Sequence, residues 1–565
     1  MRKTAFTILL TLATSVCTLA QTAYDAWLFS ENNYEGTARS VAMGNAFTAL
    51  GGDLGAVSIN PAGSAVAGYS QITLTPSLTF STNTTAGVPY EEGTDPYFQR
   101  TMKSRITRAG IPNVGFTFNF KTGRTSGLKG VTVGFVLNRT NSWCEDLYAN
   151  GTNSQTSFLA ALASDATYEI EDFNYLNPNA DPPYSKNDYM SEDAFKYMNW
   201  QNTVGYRSGM FSAFDADGQK FAGATEVPLE NGNLAQAGKV EQTYGRTVDG
   251  SKYEYVFNIG ANISDFVYIG FNLGVNSLTY DYTHYFKESA IDPDLFENKF
   301  IDSNGDEQVT YFNSAKYHYS YSVEGTGVFG KLGVIVTPGA GLRFGATIQT
   351  PTGTTIREQW QDKAETSFSD SSFDGTAESP VGDNGQGYRF NSPWRFGLGA
   401  AYALGKLAVI SADYEVADYG GMKYRTDRHN MSDKDLEVFS NINEEIRNSY
   451  GTAHYLRLGA EFRPMSTLAV RAGYNMSSSA QKKYYDSYQE DWLDMKQTVR
   501  QNISFGVGYS SKKSFFADIA CRYTFRSDEF IYPYSDYLAD YGILSPEIRN
   551  THSDWKLLLT LGWRF

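Results

Sequence analysis

The chain has 565 residues, a formal net charge of -15, 15% aromatic residues, 52 Gly and three cysteines. An acidic chain argues against nucleic acid as a partner, and so few cysteines exclude a disulfide framework. No segment beyond the N-terminus approaches the roughly 18 to 20 apolar residues that a spanning helix needs, which excludes a helical membrane protein.

Residues 1–20 read as a secretory signal: Arg2 and Lys3 form the positive end, Ala5 to Ala13 the apolar run, and Thr18-Leu19-Ala20 the cleavage site. Cys17 follows Val16, a poor fit to the small residue that lipoprotein processing wants. Residues 44–63, GNAFTALGGDLGAVSINPAG, are rich in Gly and Ala and almost uncharged, with neither the length of a membrane helix nor the alternation of a strand.

From Ile72 onward the period is two. Ile72, Leu74, Leu78 and Phe80 alternate with polar residues, then Val114, Phe116, Phe118 and Phe120, then Val131, Val133, Phe135 and Leu137. Further runs are 253–263, 267–282, 317–336, 342–348, 390–402, 407–419, 456–462, 468–474, 499–509 and 515–525. The last run, DWKLLLTLGWRF, puts Trp555, Leu557, Leu559, Leu561, Trp563 and Phe565 on one face. Fourteen runs, an even number, joined alternately by short turns and long segments, predict an all-β, antiparallel transmembrane β-barrel with both termini in the periplasm. The long segments are expected at 81–111, 140–249, 283–316, 352–389, 420–451, 479–497 and 527–553. In the run 317–336 the apolar residues change from odd to even positions at Gly325-Thr326-Gly327, which predicts a bulge. Tyr280, Tyr282, Tyr285, Tyr419, Tyr523 and Phe525 are candidates for the aromatic girdle.

Fourteen tilted strands enclose a cylinder roughly 28 Å across, too wide for side chains to fill. The small-residue segment is suited to enter it, because Gly and Ala let backbone approach the wall closely. The division expected is signal 1–20, hatch 21–70 and barrel 71–565.

At this point the sequence resembles a known family. GTARSVAMGNAFTALGGDLGAVSINPAG at 36–63, ANISDFVYIGFNLG at 261, GKLGVIVTPGAGLRFGATIQTPTG at 330, SPWRFGLGAAY at 392 and ADYEVADYG at 412 are similar to the hatch and strand-turn-strand segments of the FadL/TodX outer-membrane transporters. Gly52-Asp53-Leu54 departs from the two adjacent acids common there. The resemblance implies a monomeric 14-stranded barrel in the outer membrane of a Gram-negative bacterium. It would carry long-chain fatty acids or aromatic hydrocarbons passively past a hatch and release them sideways through the wall. Hatch residues so implied are Arg39, Asn45, Asp53, Asn60, Pro61 and Ala62, with Gly130 and Gly134 as candidates for the lateral opening. Outer-membrane lipid and lipopolysaccharide would surround the barrel, and Phe565 would address it to the barrel assembly machinery.

Inward-facing charges are expected at Asp413, Glu415, Arg457, Glu461, Arg463, Arg471, Asp518 and Arg522. They either neutralise one another on a wetted lumen, the plainer reading, or grip the hatch or a ligand carboxylate. Asp302, Asn304 and Asp306 resemble a calcium loop, but Glu307 stands where Gly makes the turn and Asn313 where a bidentate acid belongs, so an ordinary turn is the simpler reading. The five His lie at no metal-ligand spacing, and no cofactor is expected. No catalytic Ser/His/Asp set is placed on adjacent strands, so an enzyme is not expected. The rivals are a general diffusion porin and a surface adhesin built on the segment 140–249.

Overall fold

The computed structural model describes residues 22–89, 96–229, 233–301, 307–425, 433–486, 491–495, 499–511, 514–535 and 545–565. The signal segment 1–20 and the acidic loop with Asp302, Asn304 and Asp306 lie outside them.

The period-two runs become fourteen strands: β1 Gln71–Val88, β2 Met102–Lys121, β3 Leu128–Asn153, β4 Val240–Ile263, β5 Val267–Ala290 and β6 Glu307–Gly339. β7 has two parts, Leu342–Gln349 and Gly353–Phe368, as does β8, Tyr388–Asn391 and Arg395–Leu404. β9 Ala408–Asp418, β10 Thr452–Met465, β11 Leu468–Ser478, β12 Val499–Ser510, β13 Phe515–Ile531 and β14 Glu547–Arg564 complete the set. Pro351 and Pro393 mark the interruptions in β7 and β8, since Pro cannot donate to the ladder. Each strand is antiparallel to the next. β14 returns to β1 from Arg564↔Gln71 to Glu547↔Val88 and closes the cylinder, leaving no sheet edge at the join.

Outside, Ile72, Leu74, Leu78, Phe80, Phe257, Phe271, Leu332, Phe396, Phe505, Ile519 and Trp563 are exposed, so an apolar belt surrounds the barrel. On β1 the belt spans Ile72 to Phe80, about 22 Å of height for tilted strands, which matches the thickness of a hydrocarbon layer.

Three expectations are corrected. β3 and β6 run for 26 and 33 residues, far beyond a spanning length. Residues 81–88, 102–111, 140–153, 240–249, 283–290 and 307–316, inside the expected long segments, are therefore strand projecting past the belt. There, loss of apolar alternation on the outer face had hidden the strand. The pairing of β6 with β5 is continuous through Gly325-Thr326-Gly327, with no bulge. From Ala315 to Ile335 odd positions face inward: Tyr321 and Val323 are buried while Val328 and Leu332 are exposed, so what changes along this part of β6 is which face is apolar, and the register shift of the strand lies earlier, at Phe312/Ser314. For the same reason Tyr280, Tyr282 and Tyr419 face the lumen, whereas Phe525 is outside and Tyr523 packs on the outward Trp555 ring at 4.6 Å.

Above the long-loop end, helices α4 Phe158–Leu176, α5 Lys186–Met190, α6 Ala194–Tyr197 and α7 Trp200–Arg207 form a cap; for numbering, α1 to α3 belong to the N-terminal segment below. Phe158, Leu162, Tyr189, Phe211 and Phe221 of the cap share one apolar core with Tyr244, Phe286, Tyr317 and Phe368 of the strand ends. Ser157 caps α4 and donates to Glu288 of β5 at 2.5 Å, pinning the cap to the rim.

The parity of β6 is open to a direct check. A nitroxide on Val328→Cys is expected to be accessible to oxygen dissolved in the lipid and one on Val323→Cys immobile and shielded, as read by electron paramagnetic resonance. Equal lipid exposure of both would restore the bulge.

Candidate functional site

The N-terminal segment holds α1 Ala23–Ser30, α2 Ala38–Ala42 and α3 Gly63–Val66, joined by turns, and nearly all of residues 37–65 is buried. It lies inside the barrel, because its partners are the inward-facing side chains of the wall. Thr48 N donates to Asp413 of β9 at 2.6 Å, and Ala38 N to Thr560 of β14 at 2.7 Å. Asn258 and Asn272 donate to the carbonyls of Pro61 and Val57, Lys331 to Ser58 O at 2.6 Å, and Arg343 to Leu50 O at 2.9 Å. A short segment without a regular ladder has many free backbone groups, and wall side chains satisfy them in the absence of bulk water. Wall glycines allow the approach: a Cβ on Gly345 would meet the Thr48 carbonyl, and one on Gly473 the backbone of Gly44.

The residues singled out in the segment take definite places. Asn60 Nδ2 donates to Thr48 O at 2.6 Å and to Val334 O of β6 at 3.2 Å, while its Oδ1 accepts from Ala62 N at 3.0 Å. Pro61 and Ala62 pack against Gly270 of β5. Asn45, at φ 61°, donates to Tyr34 O at 2.7 Å, Asp53 accepts from Thr37 at 2.6 Å, and Arg39 pairs with Glu461 at 2.9 Å.

The inward charges form chains in which both readings have a share. Glu415 joins Arg395 and Arg457 at 2.9 and 2.8 Å. Glu461 holds Arg463 and Arg471 as well as Arg39, and Arg471 continues to Asp518 at 2.6 Å. Arg463 is half exposed. The ladder is mutual, while Asp413, Glu461 and Arg522 also reach the N-terminal segment.

Glu35 is the group that the sequence reading passed over. It is 1% exposed, and its carboxylate receives Nε and Nη2 of Arg139 at 2.8 and 2.7 Å, Lys556 Nζ, and Ser142 Oγ at 3.0 Å, with Arg522 Nη2 at 3.5 Å. Burial pushes this carboxyl up; Arg139, Lys556 and Arg522 more than offset it and hold it below the usual carboxylate range. Nε and Nη1 of Arg522 are buried without a hydrogen-bond partner among the described residues.

Glu35 sits at a seam in the wall. The β2–β3 ladder ends at Asn113↔Asn138. Beyond it β2 pairs with β1 and β3 with β4, but not with each other. The freed edge of β3 turns inward: Asn83 and Thr85, on the inner face of β1, donate to the carbonyls of Asp146 and Tyr148 at 2.9 and 2.5 Å. At the start of the seam Glu35 N and Asn33 N bind the carbonyls of Arg139 and Thr140 at 2.9 and 2.6 Å, standing where β2 would have paired. Gly130 and Gly134 lie below, paired on both sides with β2 and β4, next to a register shift at Leu128/Gly130.

Toward the cap the lumen is aromatic. Tyr280, Tyr321, Trp360, Tyr388, Phe390, Tyr419, Tyr424 and Tyr455 form one buried cluster with α1 residues Ala23, Ala26, Leu28 and Phe29, and α8 Asp433–Ser449 adds Phe439, Ile442 and Ile446. α1 thus occupies an apolar chamber. The cleft beside it, lined by Phe29, Ser30, Lys252, Leu278 and Arg395, is narrow.

No family model and no curated protein matches this sequence. Among solved structures it is similar to the Pseudomonas putida toluene transporter TodX, with 12% identity over 95% of this chain and 99% of that one and a TM-score of 0.50. A Pseudomonas aeruginosa FadL homologue aligns over 94% of this chain and 98% of its own, with 10% identity and a TM-score of 0.47. The Ralstonia pickettii toluene transporter TbuX aligns over 95% and 100%, with 12% identity and a TM-score of 0.45. The fold implied by the resemblance, a closed 14-stranded barrel, is the fold observed.

Filling one close approach tests the packing of the segment. Gly345→Val forces Thr48 from the wall, at a cost of about 1–3 kcal/mol for overpacking. Faster proteolysis within residues 36–66 is expected, with the barrel still heat-modifiable on gels; cleavage as slow as in the parent would mean the segment is not seated on β7.

Proposed function

We propose that this protein is a passive outer-membrane transporter of hydrophobic small molecules, in which the N-terminal segment is a hatch. The observation that carries this reading is the aromatic chamber inside the long-loop end, occupied by α1 and roofed by the cap. A water-filled diffusion pore has no use for buried aromatic rings in its lumen, whereas an apolar solute leaves water for such a surface at about 25 cal/mol per Å2. The solute enters beneath the cap, displaces α1, and leaves through the seam between β2 and β3 into the outer leaflet when residues 33–35 withdraw from the β3 edge. This route places the lateral opening beyond Asn113 and Asn138 instead of at Gly130 and Gly134. The exposed apolar belt, the short turns at one end and the long segments at the other support a barrel with both termini on the periplasmic side. An apolar cargo agrees with the similarity to TodX, a toluene transporter.

Planar-bilayer recordings separate the hatch from the porin. The intact protein is expected to be silent and a chain lacking residues 21–66 to give large, steady conductance. Cells producing the intact protein are expected to take up labelled oleate or toluene faster than cells without it. Equal, large conductance from both proteins would favour the diffusion porin.

A further inference from the structure

A second surface lies on the outer wall. Register fixes its geometry: Phe80 pairs with Trp555 on one side and Thr107 on the other, and all three lie on the outer face. The next outward rows toward the long-loop end hold Thr82 with Arg105 and Ser553, then Thr84 with Lys103 and Thr551, then Ala86 with Arg549. Lys103, Arg105 and Arg549 are exposed, and none has an acidic partner among the described residues. Residues two apart on a strand are ~7 Å apart and neighbouring strands ~4.8 Å apart, so Lys103 lies ~7 Å from Arg105 and ~12 Å from Arg549, and Arg105 and Arg549 lie ~17 Å apart. Around them are the hydroxyls of Thr82, Thr84 and Ser553; Arg526, at the register shift of β13, stands beside them, and the acids at the margin are Asp528, which accepts from Thr551 at 2.7 Å, and Glu547, one row beyond Arg549. On β4, β5 and β6 the first outward charges beyond the apolar belt are instead the acids Asp249, Asp281 and Glu324, with Asp249 paired to Arg108, and Lys287 and Lys316 stand farther out. In a chain of net charge -15 the basic patch is a local reversal of sign.

We propose that Lys103, Arg105 and Arg549 form a binding site for the phosphorylated sugar headgroup of an outer-leaflet glycolipid. The inference rests on the membrane placement argued above and on none of the transport steps. The patch begins one row above the aromatic pair Phe80 and Trp555, where hydrocarbon gives way to headgroups. Three cations on long side chains, spaced over ~17 Å of backbone, match a diphosphorylated disaccharide better than a single phosphate, and the hydroxyl rows supply donors for its sugars. An acyl chain of the same lipid would lie along Ile72, Leu74, Leu78 and Phe80. β2 carries two of the cations on the strand whose far edge is the open seam, so a lipid held there borders the proposed exit.

Native mass spectrometry of the detergent-purified full barrel tests this, with diphosphorylated lipid A, its fully dephosphorylated analogue and phosphatidylglycerol as probes. The parent is expected to retain lipid A and to bind the other two at least tenfold more weakly. At about fivefold per cation near an anionic headgroup, the triple substitution Lys103→Gln/Arg105→Gln/Arg549→Gln is expected to lose about a hundredfold, while Lys287→Gln/Lys316→Gln on the far wall binds as the parent does. A charge-conserving set, Lys103→Arg/Arg105→Lys/Arg549→Lys, is expected to keep binding within a fewfold. Parent-like affinity in a heat-modifiable triple variant, or equal binding of the dephosphorylated analogue or of phosphatidylglycerol by the parent, would overturn the proposal. If the triple variant does not fold, the parent's discrimination among the three lipids decides. Uptake assays on the same proteins report on transport separately, so failure of one reading does not pass for failure of the other.

Discussion

One buried carboxylate ties the inside of this barrel to its wall. Glu35 is held by Arg139 of β3, Lys556 of β14 and the more distant Arg522 of β13, so a single group on the N-terminal segment touches the strands on both sides of β1 and β2. Breaking a buried ion cluster from one side costs about 3–5 kcal/mol, because the charges left behind have no water. Here three cations would be left around no anion. The backbone bonds from Glu35 and Asn33 to β3 depend on the same anchor, and they stand at the start of the seam.

The second constraint is where apolar surface sits. Below, it is outside: Val328 and Leu332 of β6 face lipid and the lumen is polar and ion-paired. Above, it is inside: Tyr321 and Val323 of the same strand face α1. An apolar solute moving down the lumen would meet charge where the N-terminal segment thickens, and sideways movement through the seam would return it to an apolar surface. On the proposed route the inversion of β6 and the break between β2 and β3 are two parts of one path.

All fourteen strands were legible in the sequence because alternation against lipid is strict, and the alternation of short and long connections confirmed the pairing order. Strand ends were not legible: beyond the belt both faces of β3 and β6 change character, and a switch of apolar face looks the same in one dimension as a slip of register. The N-terminal segment announced itself through small residues and Asn60-Pro61-Ala62, which bond one another and the wall strands at Val334 and Asn258. Glu35 did not, since it is one of two acids in ENNYEGT and its partners stand at 139, 522 and 556. Gly130 and Gly134, candidates in the sequence for a lateral opening, lie in the paired part of β3, and the break in pairing between β2 and β3 was not legible. It lies beyond Asn113 and Asn138, where the signal in the chain is Pro112 and the register shift opposite it at Thr75/Ser77.

The most direct measurement is single-channel recording of Glu35→Gln, which keeps the shape of the side chain and removes its charge. If the carboxylate closes the barrel, the folded variant flickers or stays open at voltages where the parent is silent, and reduced hydrogen-exchange protection is confined to residues 30–40 and the adjoining part of β3. A variant as silent and as protected as the parent would contradict the account, leaving the N-terminal segment as packing and not a gate.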